Sequence, residues 1–116
     1  MKRFIESFTH AFDGLRYVWK EERNFRIQII IGILLIVCMG MAGFSYLEMG
    51  LIIIAITLVL TAETINTAFE DTLDKIEPNQ NAVIGRIKDI AAGVVVLCVF
   101  GAVVIGVMVF FSHYSF

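Results

Sequence analysis

The chain has 116 residues, of which 59% are hydrophobic and 17% charged. An ordinary soluble domain carries roughly 25% charged residues, so this composition excludes a typical water-soluble globule. The formal net charge is −2, and no nucleic-acid partner is expected.

The first 22 residues read as an amphipathic helix lying on a membrane surface. Phe4, Phe8, Phe12, Leu15 and Trp19 recur at steps of four, four, three and four, while Lys2, Arg3, Glu6, His10, Asp13, Arg16 and Lys20 take other positions. That pattern puts an apolar face against lipid and a polar face in water. A secretory signal is not expected, because there is no continuous apolar core followed by a small-residue cleavage site. Three apolar blocks follow. Ile27–Phe44 is free of charge, Tyr46–Ala62 carries only Glu48, and Ile90–Phe111 has no charge at all. Since about 20 apolar residues cross a bilayer, these predict spans over 25–44, 46–76 and 88–112. A bundle of buried helices in a soluble protein fits an uncharged run of this length less well. The expected fold class is therefore an all-α integral membrane protein: one surface helix and three transmembrane helices in a single unit over 1–116.

Charge sets the expected orientation. All nine Lys and Arg residues lie in the N-terminal segment up to Arg26 or in the link between the second and third apolar blocks, from Lys75 to Lys88. The positive-inside rule places both regions, and the N-terminus, in the cytoplasm. Pro78 sits in the turn-rich string EPNQN between those spans. Cys38 and Cys98 lie inside predicted spans and read as packing residues. Glycines in and beside the spans permit close helix approach. Three helices have little room to enclose a site alone, so oligomerisation is expected.

The second span is the most informative segment. It runs past the hydrocarbon thickness of about 30 Å and ends in ETINTAFEDTLDK. Glu63, Asn66, Glu70 and Asp74 fall at i, i+3, i+7 and i+11, so a helix aligns them in one stripe. Glu63 is about 25 Å along the span from Tyr46, at 1.5 Å per residue. That is the level of the membrane interface, where an ionisable side chain in an apolar run marks a functional site by default. Burial disfavours the charged form of a carboxylate, which suits a proton acceptor. The outer carboxylates suit a hard cation such as Mg²⁺. Two further clusters, Lys20–Asn24 and Arg86–Asp89, fall at the same depth. Metal-binding carboxylates, phosphate-binding cations and a lipid-facing base are the inventory of phosphoryl transfer. No GxxxxGK[ST], HExxH or GxSxG string is present. A non-catalytic membrane scaffold would explain the spans, but not the gathering of acids, amide and lysine at one depth.

At these residues the chain resembles the small prokaryotic diacylglycerol kinase and undecaprenol kinase family. The matching strings are KEERNFR over 20–26, ETINTAFE over 63–70 with Asp74, and KDIAAGV over 88–94. The resemblance implies a homotrimeric lipid kinase of the bacterial cell membrane, with sites between subunits. It implies that Glu63 is the base on the lipid hydroxyl, and that Glu22 and Glu70 hold Mg²⁺ bound to ATP. Asn66, Asp74, Lys88 and Asp89 would line the nucleotide and phosphate site, with Arg86 and Arg3 as further phosphate contacts. Residues 77–83 match poorly and receive no role. KEERNF and KDIAAG resemble the Gram-positive branch, which implies undecaprenol as substrate, with diacylglycerol the alternative.

Overall fold

Residues 1–115 are described by a computed structural model. Four helices follow one another: α1 (Lys2–Glu21), α2 (Arg23–Met41), α3 (Tyr46–Ile76) and α4 (Ala82–Tyr114). The last three are long and apolar enough to cross a membrane. At 1.5 Å per residue, the 31 residues of α3 make a rod of about 46 Å.

Local chemistry sets the helix ends. Glu22 alone breaks the backbone between α1 and α2, in an extended conformation with φ −109° and ψ 103°. The Nη1 of Arg26 donates to the carbonyl oxygens of Trp19 at 2.6 Å and Lys20 at 2.8 Å. One guanidinium thus satisfies two otherwise unpartnered carbonyls at the end of α1. The α2–α3 turn depends on Gly43, whose φ of +83° suits a residue without a Cβ. The Phe44 N–H donates to the Met39 carbonyl at 3.0 Å. This closure ends α2 at Met41, three residues before the predicted limit at 44. Ser45 opens α3 with a capping box: its hydroxyl accepts from the Glu48 N–H at 3.1 Å, and the Glu48 carboxylate accepts from the Ser45 N–H at 2.8 Å. Asn81 opens α4 by accepting from the N–H groups of Val83 and Ile84 at 2.8 and 3.3 Å. The helix therefore begins at Ala82 rather than at the predicted 88. Arg86, expected ahead of the span, therefore joins Lys88 and Asp89 within its first turns.

Packing is concentrated on α3, which contacts all three other helices. Met39, Ile52 and Val109 form a small buried cluster near the α2–α3 turn, joined by Ile36, Phe44, Met49, Ile56 and Ile105. Val109 is the one buried residue of α4. The helix otherwise presents Val, Leu, Phe and Met side chains outward. Cys38 and Cys98 are free thiols.

Candidate active site

The apolar face of α3 reaches its limit at Ala62 and Glu63, both buried, and continues through buried Thr67. Glu63 is only 6% exposed, which is unusual for a carboxylate. The Thr67 hydroxyl donates back to the Glu63 carbonyl at 3.0 Å, leaving the Glu63 carboxylate free of that contact. One turn on, Asn66 Nδ2 donates to Glu70 Oε1 at 3.2 Å. The other end of the Asn66 amide, Oδ1, is buried without a partner, as is Oε1 of Gln28 on α2.

The break at Glu22 turns its carboxylate toward this stripe. Burial pushes the Glu22 carboxyl above the usual glutamate value, and repulsion from Glu70, Glu63, Asp71 and Glu21 adds to the shift. Tyr17 on α1 lies beside Asp71, whose negative charge, with burial second, raises the phenol above its ordinary value. Acidic groups from three segments thus come near one another, and Glu21, Glu22, Glu63, Glu70 and Asp71 make no ion pair among the described residues. Two such carboxylates, Glu22 and Glu70, are the donor type a hard divalent ion takes, with phosphate oxygens and water completing its shell. Among the described residues no three His, Cys, Asp or Glu side chains form a complete ligand set.

Two turns further along α3, Asp74 pairs with Lys88 of α4. The pair forms one wall of a cleft of about 470 Å³ closed by Glu77–Ala82, Ile84 and Gly85. Glu77 shapes this loop by accepting from the Asn79 N–H at 3.1 Å.

The profile of the family described as prokaryotic diacylglycerol kinase matches residues 9–110. The chain belongs to that family. It is 32% identical over 112 residues to undecaprenol kinase of Bacillus subtilis, covering 95% of this chain and 89% of that one. Diacylglycerol kinase of Haemophilus influenzae is 30% identical over 112 residues, covering 95% of each chain. Diacylglycerol kinase of Escherichia coli K12 is 27% identical over 113 residues, covering 97% of this chain and 93% of that one.

For a member of this kinase family, the predicted site residues divide into three groups. Glu22, Glu63, Asn66 and Glu70 converge at the α1–α2 break. Asp74 and Lys88 meet at the cleft. Arg3, Arg86 and Asp89 are exposed and make no ion pair among the described residues. Arg3 is 19 residues before Glu22 on a continuous helix, about 28 Å along its axis. It does not reach the Glu63 cluster of its own chain. Sequence reasoning assigned nothing in 77–83, yet that loop supplies most of the cleft wall. The signal for it was present: Asn81, after the turn-forming Pro78 and Asn79, is a helix cap directly before the apolar string Ala82–Ile84. Arg26 and Gln28 were also passed over. Both lie at the charged start of an otherwise apolar helix.

Proposed function

We propose that this chain is an ATP- and Mg²⁺-dependent lipid kinase that transfers the γ-phosphate to the primary hydroxyl of undecaprenol. The observation that carries this reading is a buried carboxylate, Glu63, beside a converging carboxylate pair and next to a cleft walled by an Asp–Lys pair. Glu63 accepts the proton of the lipid hydroxyl as its oxygen attacks the γ-phosphorus. Glu22 and Glu70 would hold Mg²⁺, which neutralises charge on the phosphate oxygens. Asn66 orients Glu70 through its amide. Lys88, set in place by Asp74, meets phosphate at the mouth of the cleft, with Asp89 and Arg86, its near neighbours in sequence, as further contacts to nucleotide and phosphate. The loop over 77–82 lodges the nucleoside end of ATP. Loss of the β–γ phosphoanhydride bond releases ADP, and the Glu63 proton then passes to water.

The site faces the cytoplasm in this reading, with α1 flat on the membrane. Its side chains Phe4, Phe8 and Phe12 are all more than half exposed, as a lipid-immersed face requires. The chain works as a homotrimer. The outward apolar surface of α4 supports association, as does the distance of Arg3 from its own Glu63, which leaves Arg3 available to a neighbouring site. The substrate assignment is favoured by the identity to the Bacillus subtilis undecaprenol kinase. The names of the other two relatives favour diacylglycerol as a second reading. Both lipids offer a primary hydroxyl on a long apolar body, so pocket shape decides between them. The test is a competition assay in one detergent, with undecaprenol and diacylglycerol at equal mole fraction. Predominant formation of undecaprenyl phosphate is expected. Predominant phosphatidic acid would replace the first substrate by the second.

A further inference from the structure

Arg26 lies four residues after Glu22, the spacing at which opposite charges on a helix ordinarily pair. Among the described residues it makes no ion pair. Its Nη1 turns to the backbone instead, donating to the carbonyl oxygens of Trp19 at 2.6 Å and Lys20 at 2.8 Å.

Those two carbonyls are the ones that the break at Glu22 strands. In an unbroken helix they would accept from the N–H groups of Arg23 and Asn24, four residues on. The string WKEERNFR over 19–26 holds no Pro or Gly to forbid such a helix. A straight α1–α2 rod would regain both backbone bonds, so the bend must be held by contacts beyond the local sequence. Buried Val18 and Phe25 anchor its two sides. Arg26 joins them across it, and hydrogen bonds from a charged donor are stronger than the amide bonds they replace. A force also acts against the bend: it brings Glu22 near Glu70, Glu63 and Asp71, whose negative charges repel it. The tie from Arg26 opposes that repulsion.

We infer that Arg26 is a positioning residue: it holds the α1–α2 bend through the Trp19 and Lys20 carbonyls, and so keeps the Glu22 carboxylate near Glu70 for a divalent cation. This rests on the reading of Glu22 and Glu70 as the metal pair of a lipid kinase. Because Arg26 binds the backbone and not the carboxylate, it does not compete with a cation for Glu22. The apparent affinity for a ligand falls with the fraction of protein in the binding-competent arrangement. Loosening the tie lowers that fraction, so the metal binds more weakly while the chemistry of a filled site is unchanged.

The test uses Arg26→Gln and Arg26→Met, with Arg26→Lys as the conservative variant, in the full-length detergent-purified protein. Mn²⁺ alone is the probe, its bound fraction read from loss of the free-ion paramagnetic resonance signal. Half-activating Mg²⁺ and kcat at saturating Mg²⁺ are measured beside it. Arg26→Gln and Arg26→Met should weaken Mn²⁺ binding about ten-fold, the effect of losing one charge-assisted hydrogen bond, and raise half-activating Mg²⁺ in step, with kcat at saturation within two-fold. Arg26→Lys, whose ammonium is able to donate to both carbonyls, should recover most of the affinity. Adding Arg26→Gln to Glu22→Gln should shift half-activating Mg²⁺ less than two-fold further, since Arg26 acts through Glu22. Unchanged Mn²⁺ binding in the Gln and Met variants would overturn the assignment, whatever their thermal midpoints. So would a further ten-fold shift in the double variant, or failure of both the Gln and Met variants to fold, which would mark Arg26 as required for the fold itself. Absence of Mn²⁺ binding by the unsubstituted protein would instead overturn the metal pair on which the inference stands, and the same titration reports it separately.

Discussion

The two ends of the α2–α3–α4 bundle are built on opposite principles. At the turn end, polar groups find partners within the chain. Ser45 and Glu48 cap α3 reciprocally, and Glu48 also reaches His113 Nδ1 at 3.1 Å. The His113 ring stacks on Phe44 with centroids 3.8 Å apart, above the Met39–Ile52–Val109 cluster. At the acidic end, carboxylates repel, two amide oxygens are unpartnered, and a cleft stands open beside Asp74 and Lys88. A closed end of this kind holds helices together. An open one keeps groups available for a ligand, and the strain it carries is affordable because the other end is satisfied.

Substitutions should therefore separate the two ends by what they damage. The largest effect is expected from Glu63→Gln. It keeps the shape of the side chain and removes its basicity, so lipid phosphorylation should fall about 10²–10⁴-fold, while ATP binding and the thermal midpoint persist. Near-normal turnover would remove Glu63 from its role. Glu22→Gln and Glu70→Gln come next, each expected to raise the Mg²⁺ concentration needed for half-maximal activity. If both variants keep the Mg²⁺ dependence of the unsubstituted protein, the pair does not hold the ion. Mixing inactive Glu63→Gln and Glu70→Gln subunits tests whether sites are shared between chains. Partial return of activity is expected after subunit exchange, and none would indicate that both groups act from one chain.

Glu22 also gives a pH signature. Its carboxyl is raised above the ordinary glutamate value of 4.5, first by burial and then by Glu70. A raised carboxyl favours the folded state in acid and loses that contribution as pH climbs through its folded value. Without Mg²⁺, thermal stability should decline from about pH 4.5 upward, and Glu22→Gln should flatten the decline. Equal slopes in the two proteins would show that Glu22 is not the group responsible. At the turn end, Ser45→Ala should remove the α3 cap at a cost of about 1 kcal/mol. Thermal denaturation should detect it, with kcat unaltered. A loss of kcat larger than the loss of folded protein would mean the two ends are coupled.

Most of this architecture was legible in the sequence because hydropathy and charge act locally. The spans, and the position of Glu63 where an apolar run turns acidic, follow from counting along the chain. The stripe of Glu63, Asn66, Glu70 and Asp74 was legible as helix spacing. Its division was not: Asp74 turns away to Lys88, a contact 14 residues distant that depends on how the 77–81 loop closes. The convergence of Glu22 on Glu70 is likewise tertiary, set by a single-residue break between two helices. Helix ends failed where one residue overrode the pattern, with Gly43 stopping α2 early and Asn81 starting α4 early. Gln28 escaped notice because a lone amide in an apolar helix has no spacing signal. Only its burial without a partner distinguishes it.

The central claim is that the acidic end moves a phosphoryl group onto a membrane lipid. The most direct measurement follows the γ-phosphate of labelled ATP in the detergent-purified protein, with undecaprenol, with diacylglycerol and with neither. The account predicts label in the lipid fraction in one-to-one ratio with ADP, dependent on added lipid and Mg²⁺. ADP formation without lipid labelling, or no ATP consumption with either lipid, would contradict it.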